Sequence, residues 1–71
     1  MFTLDELIAE RDSVLLKARQ LTEYVNSDEF YAPAVTEAER YHIKKQENAL
    51  LEYHANLINQ IELKTYPTQS S

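Results

Sequence analysis

Glycine and cysteine are absent from this 71-residue chain, and proline occurs only at Pro33 and Pro67. A small sheet protein needs several tight turns, which favour Gly, Asn or Asp at left-handed positions, so the lack of Gly argues against most β folds. Without Cys, neither a disulfide framework nor a thiolate metal site can form, and secreted domains of this size usually need such cross-links. A glycine-rich phosphate loop is excluded too. Together these absences favour one domain built from long helices.

Long apolar runs are missing as well. Hydrophobic residues make up 44% of the chain and charged residues 27%, a mixture too apolar for a disordered protein. No unbroken apolar run exceeds three residues, as at 14–16, whereas a membrane-spanning helix needs about 20. Asp5 and Glu6 stand where a signal peptide would carry basic residues. We therefore expect no membrane association and a cytoplasmic location.

Two helix starts can be located from the sequence. Thr3 with Glu6, and Thr36 with Glu39, have the spacing of capping boxes, and each is followed by apolar residues at three- and four-residue steps. This pattern predicts an all-α antiparallel hairpin over 1–66, with helices at about 4–26 and 37–64, and a flexible polar tail at 67–71. The stripe positions are Leu4, Leu7, Ile8, Val14, Leu15, Ala18, Leu21, Thr22 and Val25 in the first helix, and Ile43, Leu50, Leu51, Leu57, Ile58 and Ile61 in the second.

The connection between the predicted helices is short, so the helices must return side by side. Phe30, Tyr31 and Val35 make it too apolar for a simple solvated turn. We expect these side chains to plug the end of the bundle from a single helical turn capped by Ser27. The alternative is an exposed docking tip.

A single hairpin has only one seam in which to bury two wide stripes. Below about 70–80 residues, a single core seldom supplies more than roughly 3–5 kcal/mol. Two hairpins that pair into a dimeric four-helix bundle would cover both stripes, and so would docking on a larger protein. We therefore predict that the chain associates with itself, as a dimer or a higher assembly.

Three polar residues interrupt the apolar stripes: Arg11 in the first helix, and Glu47 and His54 in the second. The hairpin geometry places Arg11 level with His54, and Ala18 level with Glu47. They could form a buried acid–base cluster, but no nucleophile and no pocket-forming loop accompany them. We interpret them as buried polar residues that set the helix register, and we expect neither catalysis nor a cofactor.

Glu39 and His42 match the Glu-x-x-His spacing of di-metal carboxylate bundles. Such a site also needs an inward Glu at the same height on the first helix, and Glu23 projects from the wrong side. Glu39 already has a capping role. We therefore expect no metal site.

Charge is distributed unevenly along a chain whose net charge is −5. Five acids and no Lys or Arg lie between residues 23 and 39, which disfavours direct nucleic-acid binding. An acidic turn with aromatics could bind a basic protein or occupy a nucleic-acid-binding groove, or it could be only a solvated cap. The candidate protein-binding residues are the four turn residues Asp28, Glu29, Phe30 and Tyr31, and three apolar residues off the stripes, Leu16, Tyr41 and Leu63.

Several features recur together between Tyr24 and Leu63: Phe30 after Asn26-Ser27-Asp28-Glu29, the Thr36-Glu37 helix start, Gln46, Tyr53 seven residues later, and Leu57 with Ile61. Through them the stretch resembles a family of small proteins encoded by crAss-like and other tailed phages, although Leu50 stands at a position where that family commonly has Met. The resemblance implies a phage or prophage origin and an accessory role in the cytoplasm of the host.

We therefore expect a non-enzymatic phage accessory protein that binds a host protein and inhibits a defence or nucleic-acid-processing factor. One alternative is a structural module that scaffolds a phage complex. Another is an acidic regulator that mimics nucleic acid.

Overall fold

The computed structural model describes residues 2–65, and within them the chain forms two antiparallel helices. Helix α1 spans Leu4–Val25 and helix α2 spans Glu37–Thr65, with a 3₁₀ helix at Asp28–Tyr31 between them. The predicted all-α hairpin is confirmed, and no strand occurs in the described part. The predicted polar tail, 67–71, lies outside the described residues.

Both helices begin at the predicted capping boxes. The Thr3 hydroxyl accepts a hydrogen bond from the Glu6 backbone N–H (3.2 Å), and the Glu6 carboxylate accepts one from the Thr3 N–H (2.8 Å). At the start of α2, Thr36 and Glu39 exchange the same two bonds, at 3.1 and 3.0 Å. Each box satisfies N–H groups that have no partner within the helix, so both starts are fixed locally.

The seam between the helices follows a heptad-like spacing. Leu7, Val14 and Leu57 form its buried centre, and Leu50 and Ile61 pack against them. Steps of three and four residues are typical of an antiparallel coiled coil. The seam positions are 4, 7, 11, 14, 18, 21 and 25 in α1, and 43, 47, 50, 54, 57 and 61 in α2.

The connection closes one end of the seam through Phe30, one of the three side chains predicted to plug it, whereas the prediction is wrong for Tyr31, which is 67% exposed. Phe30 is only 1% exposed and packs edge-on against Tyr24, with ring centroids 5.7 Å apart. Ser27 is the N-cap residue of the 3₁₀ helix, as predicted, but its side chain makes no capping hydrogen bond. Its hydroxyl donates instead to the Tyr24 carbonyl at 2.6 Å, which also accepts the Ser27 backbone N–H at 3.0 Å.

Neither α1 nor α2 has the length of apolar sequence that a membrane crossing requires.

Candidate protein-interaction surfaces

The seam leaves two long edges along the hairpin, which differ in chemistry. Residues that directly precede seam positions 11, 18, 25, 47, 54 and 61 lie on one edge. Residues that directly follow seam positions 7, 14, 21, 43, 50 and 57 lie on the other. We call the first the polar edge, formed by Glu10, Lys17 and Tyr24 of α1 with Gln46, Tyr53 and Gln60 of α2. We call the second the apolar edge, formed by Ile8, Leu15 and Thr22 of α1 with Lys44, Leu51 and Ile58 of α2.

The grooves of the structure confirm this division. Lys17, Tyr24 and Gln46 line one groove between the helices. Leu15 and Leu51 line a different one. Since each groove takes residues from both helices, each edge is a continuous surface shared by α1 and α2.

A hydrogen bond between the helices bridges the polar edge. The Tyr53 hydroxyl donates to the Glu10 carboxylate at 2.8 Å. This bond favours the neutral phenol and, together with desolvation and the negative charge of Glu10, raises the pKa of Tyr53 above its ordinary value. Both polar groups find their partner within the chain, although the Tyr53 side chain is 38% exposed.

The apolar side chains of the other edge have no such polar contact. Leu51 is 46% exposed and Ile58 is 37% exposed, while Ile8 and Leu15 are half-buried. Leu15 lies opposite Leu51 in the groove. Because Ile8 and Ile58 each lie one heptad further toward the open end, they form a second layer at their own height. The edge therefore presents two apolar layers to the outside, Leu15 with Leu51 and Ile8 with Ile58.

The apolar edge becomes polar toward the connection. The Thr22 hydroxyl donates to the Glu47 carboxylate across the seam at 2.7 Å. The sequence placed Glu47 level with Ala18, and the bond lies one turn further along α1. Lys44 follows on the α2 side, so the apolar surface is confined to the half of the hairpin away from the turn.

The prediction that Arg11, Glu47 and His54 are buried is wrong for the single chain, since no polar residue is buried within residues 2–65. The Arg11 side chain is 34% exposed and pairs with its neighbour Asp12 at 3.0 Å. His54 and Glu47 are half-buried. All three stand in the seam, but the apolar edge beside them lets long side chains reach solvent. Their role in setting the register stays a prediction.

The acidic turn offers a smaller surface than the sequence predicted. Phe30 is buried, so the prediction that it contacts a partner is wrong: its ring plugs the seam and cannot reach one. Tyr31 is 67% exposed, and the Arg40 guanidinium lies 5.9 Å from the centroid of its ring. Asp28 and Glu29 are exposed. The turn residues available for contact are therefore Asp28, Glu29 and Tyr31.

Leu16, Tyr41 and Leu63 are each more than half exposed. They do not form one patch. Tyr41 and Leu63 lie at opposite ends of α2, about 33 Å apart along its axis at 1.5 Å per residue, and Leu16 lies on α1. Any contacts they make are with separate parts of a partner.

Glu39 acts as a cap. Hydrogen bonds from the backbone and hydroxyl of Thr36 favour its carboxylate and lower its pKa below the usual range. Across residues 2–65, no three His, Asp or Glu side chains converge as a metal site would require.

The division into two edges is the feature that the sequence interpretation missed. Leu15, Leu51 and Ile58 were assigned to the same stripes as the seam residues, whereas they directly follow seam positions. The signal was present, because four of the six residues on the apolar edge are apolar, whereas all six on the polar edge are polar residues or tyrosines. Comparison with known proteins gives no relative: no protein-family model, curated protein or solved structure matches the chain.

Proposed function

We propose that this chain is a non-catalytic protein-binding module that completes its core by pairing with a second copy along the apolar edge. The supporting observation is how little of the hairpin is buried. Within residues 2–65, α2 buries one side chain, Leu57, although its stripe continues through Leu50, Leu51, Ile58 and Ile61. A helix of 29 residues with one buried side chain gains little from its own hairpin.

The apolar edge supplies what the seam lacks. Full burial of a Leu or Ile side chain contributes about 1.5–3 kcal/mol. The four apolar side chains of this edge, Ile8, Leu15, Leu51 and Ile58, are already partly covered in the single chain. Two copies face to face would cover eight such side chains. That gain is comparable with the whole core stability expected of a chain this small.

Self-association leaves the turn free to bind another protein. Asp28, Glu29 and Tyr31 lie beyond the apolar half of the hairpin and combine negative charge with an exposed aromatic ring. Such a surface suits a basic partner, because complementary charge speeds encounter and selects against wrong partners. The phage proteins that the chain resembles suggest that this partner is a host protein, which the module inhibits or redirects.

Sedimentation equilibrium at micromolar concentration tests the first part of the proposal. We expect about twice the 8.3 kDa chain mass. A cooperatively folded species of 8.3 kDa would contradict self-association.

A pull-down from host lysate with the tagged chain tests the second part. A stoichiometric host protein, lost when Asp28 and Glu29 are both changed to Lys, supports inhibition through the acidic turn. Recovery of phage structural proteins alone supports the scaffold alternative. A host protein that persists with the Lys pair but is lost with Leu16→Glu or Leu63→Glu would place recognition along the helices.

A further inference from the structure

We infer that the second copy docks in reverse, α1 against α1 and α2 against α2, about a twofold axis that crosses the apolar edge between its two layers. This inference rests on the proposed self-association and adds the geometry of the interface. Two face-to-face arrangements bury the apolar edge of both copies. In the reversed arrangement the turns point to opposite ends, and in the in-register arrangement they lie side by side.

The position of the apolar layers allows both arrangements. In the reversed arrangement, the Ile8–Ile58 layer of one copy packs on the Leu15–Leu51 layer of the other. In the in-register arrangement, each layer packs on its own counterpart. Packing alone therefore does not distinguish the two, and the charges that flank the layers must decide.

The flanking charges of α1 complement each other in the reversed arrangement. Asp5 lies one turn before Ile8, and Arg19 lies one turn after Leu15. When Ile8 packs on Leu15 of the second copy, Asp5 therefore comes level with Arg19 of that copy, twice per dimer. On α2, the same reasoning places Glu62 level with Glu47 of the second copy, with Lys44 of that copy about one turn away. The Asp5–Arg19 pairs join opposite charges.

The in-register arrangement brings like charges together. Each α1 then faces α2 of the second copy at the same height, so Asp5 comes level with Glu62, while Arg19 comes level with Glu47. The two turns, with five acids each between residues 23 and 39, would also stand side by side. Like charges at this spacing repel, and the reversed arrangement separates the turns by the length of the dimer.

The flanking charges are available for such contacts. Within residues 2–65, the ion pair formed inside the chain is Arg11 with Asp12. That pair lies near the inferred axis and is already neutral. Arg19 lines the same groove as Leu15 and Leu51, so it stands beside the apolar layers.

Single cysteines distinguish the arrangements, because the chain has none of its own. Ala55 and Asp12 are exposed and lie between the two apolar layers, on α2 and α1 respectively. In the reversed arrangement each meets its own counterpart across the axis, so A55C and D12C should each form a disulfide dimer under mild oxidation. In the in-register arrangement Ala55 faces Asp12, and the two α2 helices lie diagonally, about 12–14 Å apart for neighbouring axes 8–10 Å apart. That separation is too long for a disulfide, whose Cα atoms lie about 4.4–6.8 Å apart.

We expect A55C alone and D12C alone to cross-link, and L16C, on the outer face of α1, to stay reduced as the matched control. Cross-linking only in an equal mixture of A55C and D12C would overturn the reversed arrangement. Sedimentation of the reduced variants keeps the two proposals apart. A dimer that does not form the homotypic disulfides contradicts the docking geometry alone, whereas an 8.3 kDa monomer contradicts self-association itself.

Charge reversal provides an independent test, because it should change the strength of dimerisation in opposite directions for the two arrangements. In the reversed arrangement, D5K places Lys level with Arg19 and should weaken dimerisation roughly five- to tenfold, and the added change R19E should restore it. In the in-register arrangement, D5K would remove the repulsion from Glu62 and tighten the dimer. Tighter association of D5K would therefore overturn the inference.

Discussion

On the polar edge of the hairpin, Tyr53 and Glu10 bond each other across the helices, and the chain satisfies itself. On the apolar edge, Leu51 and Ile58 remain more than a third exposed beside the same seam. Tyr53 is itself 38% exposed, so the two edges differ in chemistry more than in exposure. The comparison teaches that exposed polar groups can find partners within one hairpin, whereas exposed apolar side chains can be covered only by another surface.

The sharpest way to break this comparison is a charge on the apolar edge. Leu51→Glu should raise the dissociation constant of the dimer about ten- to a hundredfold. Leu51 is 46% exposed in the single chain, so each copy loses about half of the 1.5–3 kcal/mol of full burial, about 1.5–3 kcal/mol per dimer, and every 1.4 kcal/mol is a factor of ten. Sedimentation equilibrium across a concentration series measures the change.

Leu63→Glu is the matched control, because it makes the same chemical change at an exposed leucine of the same helix, away from the apolar edge. The dissociation constant of the Leu63→Glu dimer should stay within a fewfold of that of the unmodified chain. Equal weakening by both variants would mean that the effect comes from charge or helix stability and not from the edge.

The seam itself is probed by His54→Leu. If His54 only sets register, the fold should survive and gain about 1 kcal/mol in free energy of unfolding, since Leu fills a half-buried seam position beside Leu57. Circular dichroism melts measure the gain. Loss of partner binding with full helicity would instead assign His54 a role as a ligand or catalytic group.

The acidic turn should behave independently of both edges. Changing Asp28 and Glu29 to Lys should slow association with a basic partner at low salt, and the defect should shrink as salt rises, because the Debye length falls to about 8 Å at physiological ionic strength. Stopped-flow association rates at several salt concentrations test this. The dimer mass should not change, since neither residue lies on the apolar edge, and a monomeric Lys variant would contradict the separation of the two surfaces.

The smallest effect is expected on the polar edge. Tyr53→Phe removes an exposed hydrogen bond and should leave the dimer mass unchanged. The bond raises the pKa of Tyr53 in the folded chain. The bond therefore stabilises the fold below the ordinary phenol pKa near 10.0, and this stabilisation is lost as pH rises through the raised pKa. Melts between neutral and alkaline pH should show a shallower decline for the Phe variant. An equally steep decline would mean that the bond contributes nothing.

Local sequence signals predicted the helices, whereas the contacts between the helices depended on longer-range geometry. Thr3 with Glu6 and Thr36 with Glu39 located both helix starts, because a capping box involves only neighbouring residues. The Thr22–Glu47 bond was not predicted, since the height at which the helices meet depends on how the connection folds.

Two contacts in that connection bear on this height. Phe30 fills the end of the seam, and the Arg40 guanidinium donates to the Val35 carbonyl at 2.8 Å. The burial of Phe30 followed from its apolar character, but the Arg40 contact joins groups that no local pattern relates. The apolar edge was the main feature that the sequence analysis missed, because a broad stripe does not show which of its residues meet within one chain.

The central claim is that folding and self-association are coupled, and the concentration dependence of thermal unfolding tests it most directly. Circular dichroism melts should be recorded over a hundredfold range of chain concentration. If two copies complete one core, the melting temperature should rise by about 4–5 °C per tenfold increase in concentration, from the specific unfolding entropy of a dimer of this size. A cooperative transition whose midpoint stays constant across that range would show that the hairpin folds alone, and would contradict the account.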